Sequence, residues 1–460
     1  MKTAIIGTGY VGLTTGVTLA YLGHEVTCLD VDEKKIDLLK QGVCPIYEPH
    51  LTDLMHLAHA NIKFTTQTAQ ALVEAEVVFI AVGTPSLPDG SPNLSFLKSA
   101  AQAIGIHIES PYVVIVNKST VPIGSGNWVE SLVRDAYRAN HNQNHNRPKT
   151  EFVVASNPEF LREGSAISDS LYSDRVVVGA DDQRALEVLR GLYQPLIEQT
   201  FEPPSFLPRP ENFGGVHFLS SDLQSAELIK YAANAFLALK ISFINEIAEL
   251  SEKVGADIQH VARGIGLDSR IGKRFLQAGI GWGGSCFGKD TAALISTGKE
   301  YGLSMAITQA ARDVNARQRA RIIEILMHEL KILKGRKIGI LGLAFKPFTD
   351  DLRDAPAFDI ARTLIDRGAK VVGYDPVAMT RAKLEWKNLE IEYAMTAEQV
   401  FEESDAILLV TEWPEFKDLA FEKLASKMKT KLMVDGRGLL DSHKIQSAHL
   451  KFISFGRSHS

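Results

Sequence analysis

Short apolar runs alternate with helical periodicity along most of this chain. Thr3-Ala4-Ile5-Ile6 reads as a strand, a helical pattern covers Leu13 to Leu22 and stops at Gly23, and Glu25-Val26-Thr27-Cys28-Leu29 reads as a second strand. Val77–Val82, Tyr112–Val116 and Phe152–Ala155 continue the series as near-continuous apolar runs, the pattern of parallel strands buried on both faces. The alternation returns far downstream, with a strand and turn over Arg336–Gly342, a helix over Ala357–Arg367, and strands at Lys370–Tyr374 and Ala406–Val410. The expected fold is therefore α/β, with two Rossmann-like doubly wound domains joined by a long central helix. That helix starts at Ser221-Asp222-Leu223-Gln224, which resembles a capping box, and its periodicity continues to Val254 before Gly255. It would span roughly 45–50 Å at 1.5 Å per residue. Between Ala232 and Ile244 it is apolar nearly all round, so it must be covered on every side. A homodimer built on this helix meets that demand.

The first strand and helix are joined by Gly7-Thr8-Gly9-Tyr10-Val11-Gly12, and the second strand ends in Asp30. Strand, GxGxxG, helix, strand and acid in that order form a dinucleotide site, whereas the glycines alone would be weak support. Gly7 permits the tight turn, Gly9 lets a pyrophosphate reach backbone N–H groups, and Gly12 lets helix and strand close up. The phosphates then sit at the helix N-terminus, where the dipole favours anions. Asp30 accepts from ribose hydroxyls and repels the additional phosphate of NADP, so the expected cofactor is NAD. Three polar segments leave the carboxyl ends of later strands, Gly83-Thr84-Pro85, Lys118–Pro122 and Ser156–Gly164. Open α/β sheets place ligands at these ends, which sets Thr84, Thr120, Glu159 and Glu163 at a crevice. If their segment is helical, Glu159 and Glu163 share one face; two acids at a helix start is the plainer reading.

Candidate chemistry concentrates in Gly281-Trp282-Gly283-Gly284-Ser285-Cys286-Phe287-Gly288-Lys289-Asp290. The glycines allow close ligand approach, a nearby cation such as Lys289 lowers a thiol pKa, and Asp290 can act on a water or a departing proton. The competing reading is a glycine turn around a small buried thiol. Lys230 and Asn234 interrupt the apolar surface of the long helix four residues apart, so they share a face and could hold a developing oxyanion. A snorkelling lysine beside an interface amide is the alternative. Arg270 offers a fork for phosphate or carboxylate, or a surface ion pair. The second nucleotide-like fold lacks GxGxxG and has Lys346, Asp350, Asp351 and Arg353 in its first turn. Lys346, Arg353 and Arg437 are its candidate cations for phosphates.

Composition narrows the class. A length of 460 residues, 45% hydrophobic and 23% charged, fits an ordinary globular protein of roughly three domains. A net charge of −5 provides no basic field for nucleic acid or an anionic membrane. The three cysteines, Cys28, Cys44 and Cys286, form neither a disulfide framework nor a metal spacing. No metal is expected. No apolar run approaches the ~18 residues that span a bilayer, and the N-terminal apolar run is too short for a signal peptide. A cytoplasmic location is expected. Asn140–Asn146 and Glu202–Gly215 read as surface loops.

These motifs in this order, Gly7–Gly12, Lys118–Pro122, Asn157–Gly164, Ala226–Asn234, Gly283–Asp290 and Ala344–Arg353, resemble the nucleotide-sugar 6-dehydrogenases of the UDP-glucose/GDP-mannose dehydrogenase family. The resemblance runs from Gly7 to about Leu440. It implies an NAD-binding domain at 1–215, a central helical dimerisation domain at 216–325 and a UDP-sugar-binding domain at 326–460. It further implies that Gly7, Gly9, Tyr10, Val11, Gly12, Asp30, Lys35, Thr84, Thr120, Glu163 and Arg353 contact NAD. Glu159, Phe160, Leu161, Arg162, Lys230, Asn234 and Arg270 would line the UDP-sugar site. Phe275, Leu276, Gln277, Ala278, Gly279, Gly283, Lys346 and Arg437 would complete it, with Arg270 able to reach a neighbouring subunit. The implied reaction is four-electron oxidation of UDP-glucose to UDP-glucuronate, with Cys286 as nucleophile. Lys230 and Asn234 would stabilise oxyanions, Thr120 and Asp290 would hold a water, and Glu159 would act as base. Gly288 stands where the family commonly has proline, His50 where it has glycine, and the loop after Glu202 is longer than usual. Rival readings are a dehydrogenase of GDP-mannose or a UDP-N-acetylhexosamine, a two-electron hydroxyacid dehydrogenase, and a non-catalytic nucleotide binder.

Overall fold

The computed structural model describes residues 1–85, 87, 91–143 and 149–457. It divides into two units, Met1–Ala232 and Ala233–Ser460. In the first unit the strands are β1 (Lys2–Ile6), β2 (Glu25–Leu29), β3 (Ile62–Thr65), β4 (Val77–Ile80), β5 (Tyr112–Asn117), β6 (Glu151–Ser156), β7 (Arg175–Gly179) and β8 (His217–Ser221). They form one sheet in the order β3-β2-β1-β4-β5-β6-β7-β8. The chain begins mid-sheet, winds outward to β3, then crosses back to β4. This puts the topological switch point beside the carboxyl end of β1, where an open α/β sheet binds its ligand. Ile5 of β1 pairs with Cys28 on one side and Phe79 on the other.

Alternate residues of these strands enter different cores, as the pleat requires. Ile5, Cys28, Phe79 and Val116 pack into one, and Ala4, Ile6, Val78, Ile80 and Ile115 into the other. This two-sided burial explains the unbroken apolar runs. The sheet departs from an all-parallel one at its far end. There β6 meets β7 antiparallel, through Ser156 and Gly179, and β7 pairs with β8 in parallel.

The second unit repeats the plan with β9 (Lys337–Leu341), β10 (Lys370–Tyr374), β11 (Ile391–Tyr393), β12 (Ala406–Leu409), β13 (Leu432–Asp435) and β14 (Lys451–Ser454). The order is β11-β10-β9-β12-β13-β14, and every pairing is parallel. Again two cores flank the sheet, one with Ile338, Ile340 and Leu408, the other with Leu341, Ile407 and Leu409.

The central helix covers Leu223–Val254, 32 residues, or roughly 48 Å at its standard rise. Its start differs from the expected box: Asp222 is the cap, accepting from Ser225 N–H at 2.7 Å and Ser225 Oγ at 2.7 Å. Gly255, at φ +76°, ends it as a left-handed residue that only glycine adopts cheaply. Leu228, Phe236, Phe243, Leu250 and Val254 are exposed; spacings of seven to eight place most of them along one stripe of the helix. Two loop expectations met different outcomes. Glu202–Gly215 forms only turns and bends, held in part by Arg209 donating to the carbonyls of Gln199 and Phe201. The loop expected over Asn140–Asn146 is helical at its start, where the helix Ser125–Gln143 runs through it; residues 144–146 lie outside the described residues. Among the described residues no helix is long and apolar enough to cross a membrane.

Candidate active site

The first unit builds its part of the site on the turn after β1. Gly7 sits at φ +98°, and a Cβ there would lie 2.6 Å from Ala81 O. A Cβ on Gly12 would lie 1.9 Å from Gly7 O, so that residue lets the helix start against the strand. Around Gly9 a Cβ would meet nothing within 4 Å, which leaves open the cradle a pyrophosphate requires. At the end of β2, Asp30 Oδ2 accepts from Thr8 N–H at 2.8 Å and Thr8 Oγ1 at 2.7 Å, with Lys35 Nζ at 3.4 Å. Its Oδ1 accepts from Asp32 N–H at 3.1 Å. Burial alone would raise the pKa of Asp30, but these Thr8 and Asp32 hydrogen bonds and Lys35 hold it below the usual carboxylate range. Asp30 is thus an anion, the state that accepts from ribose hydroxyls. At the ends of β4 and β5, Thr84 Oγ1 donates to Thr120 O at 2.9 Å, so the two threonines are adjacent.

Glu159 lies in the loop after β6, not on a helix; the helix begins at Ala166. Glu159 and Glu163 therefore do not share a helical face. Glu159 is buried, and Lys230 Nζ donates to its Oε1 at 2.8 Å and its carbonyl at 2.6 Å, while Leu161 N–H donates to Oε2 at 2.7 Å. Burial opposes the charge of Glu159, but Lys230, Leu161 N–H and Lys118 together hold its pKa below the ordinary value. Lys118 is itself buried, donating to Asn157 Oδ1 at 3.0 Å. Burial pushes its ammonium down to about 8, with Glu159 opposing the shift and Lys230 adding to it. Phe160 lies under the guanidinium of Arg175, 4.1 Å from its ring centre, and Arg162 pairs with Asp169 through two donors.

In the second unit Cys286 caps the helix Phe287–Glu300 and is half-buried. The helix N-terminus favours a thiolate there, and Ser285 Oγ lies 3.6 Å from the sulfur. Lys289, the cation expected near the thiol, has its ammonium paired with Asp290 Oδ1 at 2.8 Å. The other oxygen of Asp290, Oδ2, accepts from Asn234 Nδ2 at 2.6 Å, and both residues are buried. Cys28 is the contrast, fully buried with its thiol pushed up to about 12 by desolvation, hence inert packing.

The remaining residues divide into exposed and internally held groups. Arg270 is 87% exposed in its side chain and pairs with Asp268. Phe275 takes φ +65° and packs edge-on to Phe287. Leu276 is buried, and Gly279 N–H donates to Asn245 Oδ1 at 2.8 Å. A Cβ on Gly279 would lie 2.3 Å from Gly436 O, and one on Gly283 2.4 Å from Asp354 O, so both glycines are fixed by packing. Arg353 pairs with Asp351 through two donors, and its carbonyl accepts from Gly284 N–H at 3.1 Å. Lys346 Nζ lies 5.4 Å from the Phe345 ring centre. Arg437 donates to Val410 O at 2.7 Å and Gly281 O at 2.8 Å, and pairs with Glu412. It thereby holds the cysteine loop's first residue. Asp375, at the position matching Asp30, is buried and saturated by the N–H groups of Leu343, Ala344, Val377 and Ala378 and by Trp413 Nε1. The second fold therefore cannot read a ribose as the first does.

Residues 1–197 match the NAD binding domain, 224–317 the central domain and 339–442 the UDP binding domain of the UDP-glucose/GDP-mannose dehydrogenase family. The chain belongs to this family. Like this chain, two curated members align over nearly their whole length. The UDP-glucose 6-dehydrogenase TuaD of Bacillus subtilis (strain 168) is 44% identical, over 99% of this chain and 93% of its own. The UDP-glucose 6-dehydrogenase of Rhizobium meliloti (strain 1021) is 44% identical, over 99% and 100%. The solved UDP-glucose dehydrogenase from Pyrobaculum islandicum superposes with a TM-score of 0.86 at 36% identity, covering 99% of this chain and 97% of that one.

As a member of this family the chain uses NAD, and the open cradle at Gly9 with the ionised Asp30 fits that group. The family's UDP binding domain, matched over 339–442, takes in the second sheet from β9 to β13. Sequence reasoning passed over Glu48, whose Oε2 accepts from Gly164 N–H at 2.6 Å and whose Oε1 accepts from Ala166 N–H at 2.6 Å. Tyr10 OH donates to the same carboxylate, so Glu48 ties the glycine loop to the segment carrying Glu163. Lys118 was missed as well. Its signal was a lysine ending an apolar strand; Glu48, in a short polar segment, offered none.

Proposed function

We propose that this chain catalyses the NAD-dependent, four-electron oxidation of UDP-glucose to UDP-glucuronate through a covalent adduct on Cys286. The observation carrying this reading is the half-buried thiol at a helix N-terminus, on a glycine loop and one turn from the Asn234–Asp290 pair. A dehydrogenase that stops at an aldehyde or ketone needs no such nucleophile. The names of the 44% identical relatives favour UDP-glucose among the family's sugars.

NAD, held by Gly7–Gly12, Asp30, Lys35, Thr84, Thr120, Glu163 and Arg353, supplies a hydride acceptor for each of two oxidations. The sugar's primary alcohol loses a hydride and a proton to become an aldehyde. The Cys286 thiolate adds to the aldehyde carbon, forming a C–S bond and an oxyanion. Loss of hydride from that carbon leaves a thioester. Water adds to it, the C–S bond breaks, and the carboxylate product and thiolate separate. Lys230 and Asn234 donate to the oxyanions, a contribution of about 2.7–4 kcal/mol for one such donor. Thr120 and Asp290 position the water, and Glu159, kept ionised by its two lysine neighbours, takes its proton. Glu159–Arg162, Arg270, Phe275–Gly279, Gly283, Lys346 and Arg437 hold the nucleotide sugar.

Counting NADH per sugar tests this. Two NADH per UDP-glucose, with UDP-glucuronate as product, is expected; one NADH with an aldehyde product, or none, overturns it.

The reading divides the chain into modules at 1–215, 216–325 and 326–460, in line with the three family domains. The exposed apolar stripe on the central helix supports a homodimer in which that helix meets its copy. Phe236, 61% exposed, is the test position: Phe236→Glu should give monomers by sedimentation velocity at micromolar protein, and an unchanged dimer would reject this interface. A sequence with only three cysteines suits the reducing cytoplasm where this reading sets the reaction.

A further inference from the structure

The cysteine loop is too rich in glycine to hold its own shape, and the structure shows what holds it. The helix Ala306–Leu330 carries Arg312, Asn315 and Arg319 on one face, at spacings that align side chains along a helix. Asn315 grips the peptide groups of Trp282 from both sides: its Oδ1 accepts from Trp282 N–H at 2.7 Å, and its Nδ2 donates to Trp282 O at 3.0 Å. Arg319 Nη2 adds a second donor to Trp282 O at 3.0 Å and one to Asp354 O at 3.2 Å. Asp354 and Asp359 fix the Arg319 guanidinium from the other side. Beyond the thiol, Arg312 Nη1 donates to Gly288 O at 2.6 Å and Thr291 Oγ1 at 2.7 Å. Gly281, at φ +89°, permits this approach, since a Cβ there would lie 2.3 Å from Asn315 Oδ1.

We infer that Arg312, Asn315 and Arg319 are positioning residues for Cys286. They pin residues 282 and 288, the two flanks of the thiol, to one rigid helix, so that Cys286 stays at the N-terminus of the helix Phe287–Glu300. The four hydrogen bonds to Trp282 and Gly288 fall on both sides of Cys286 and on backbone atoms, so they set where the loop runs whatever its side chains are. Asn315 is buried, and its four-centre grip replaces the ladder a strand would have supplied. The inference rests on the nucleophilic role proposed for Cys286. Misplacing a reacting group by about 1 Å costs on the order of 10²-fold in rate, which sets the size of the effect.

The test measures Asn315→Ala and Arg312→Ala in the full-length protein. Each should lower kcat by about 10–100-fold and leave KM for both substrates within about threefold. The pH midpoint for iodoacetamide alkylation of the Cys286 peptide, followed by mass spectrometry, should rise by about one unit. NAD affinity and the far-ultraviolet circular dichroism spectrum should stay as in the parent. Arg312→Ala removes a half-buried side chain, so it reports even if Asn315→Ala does not fold. Arg312→Lys, which can still reach a carbonyl, should restore part of the rate and the alkylation midpoint. Folded variants with parental kcat and alkylation profile overturn the inference. A Cys286→Ser enzyme with undiminished turnover would instead remove the nucleophilic reading beneath it, and the two failures are told apart by which variant stays active.

Discussion

Cys286→Ser should abolish steady turnover, by about 10³-fold or more, while NAD binds as tightly as before. A serine hydroxyl at the same helix N-terminus remains protonated at neutral pH, so no adduct forms from which a second hydride can leave. Its NAD cradle, Gly7–Gly12 with Asp30, keeps every residue that forms it, since the substitution changes none of them. Isothermal titration with NAD and a steady-state NADH assay check both halves of the expectation. A variant that oxidises UDP-glucose at the parental rate would falsify the covalent step.

Removing Lys230 should have the second largest effect, on stability and on activity together. Lys230→Met leaves Glu159 buried with one direct donor fewer at its carboxylate and one at its carbonyl. Breaking a buried pair by deleting one partner typically costs about 3–5 kcal/mol, whereas replacing both by groups of similar size is close to neutral. The double variant Lys230→Met/Glu159→Gln should therefore regain most of the lost stability in urea unfolding yet remain inactive, since it lacks both the oxyanion donor and the base. Restored activity in the double variant would assign Lys230 a structural role only. The pH dependence has a definite sign. Glu159 has a folded pKa below its ordinary value of 4.5, so its contribution to stability is complete above about 4.5 and is lost as pH falls through the lower folded value. Glu159→Gln should remove that part of acid unfolding.

The cradle and the clamp differ in how their geometry is encoded. At the first turn, three glycines and an acid at fixed spacing specify a backbone path, because each acts on its own neighbours in sequence. The Cys286 loop carries four glycines, Gly281, Gly283, Gly284 and Gly288, but has no such path of its own. Its course depends on Asn315, Arg319 and Arg437, which reach it from distant parts of the second unit. Lys289 shows the same dependence: its place in sequence gives no sign of its partner, and the fold pairs its ammonium with Asp290. Arg437 likewise takes its setting from the fold, which surrounds it with Val410 O, Gly281 O and Glu412.

What the chain's local order determined by itself were eight strands, β1, β2, β4, β5, β6, β9, β10 and β12, the glycine turn after β1 with Asp30 at the end of β2, and the long helix with its glycine stop. Periodicity and caps act over a few residues, so they are written where they are used. Folding alone decided the reversal at β7, the burial of Asp375, the pairing of Glu159 with Lys230 across 71 residues, and the grip of Asn315 on Trp282 across 33. Such contacts join residues with no periodic relation in sequence, and burial turns them from exposed polar groups into fixed, charged or hydrogen-bonded partners.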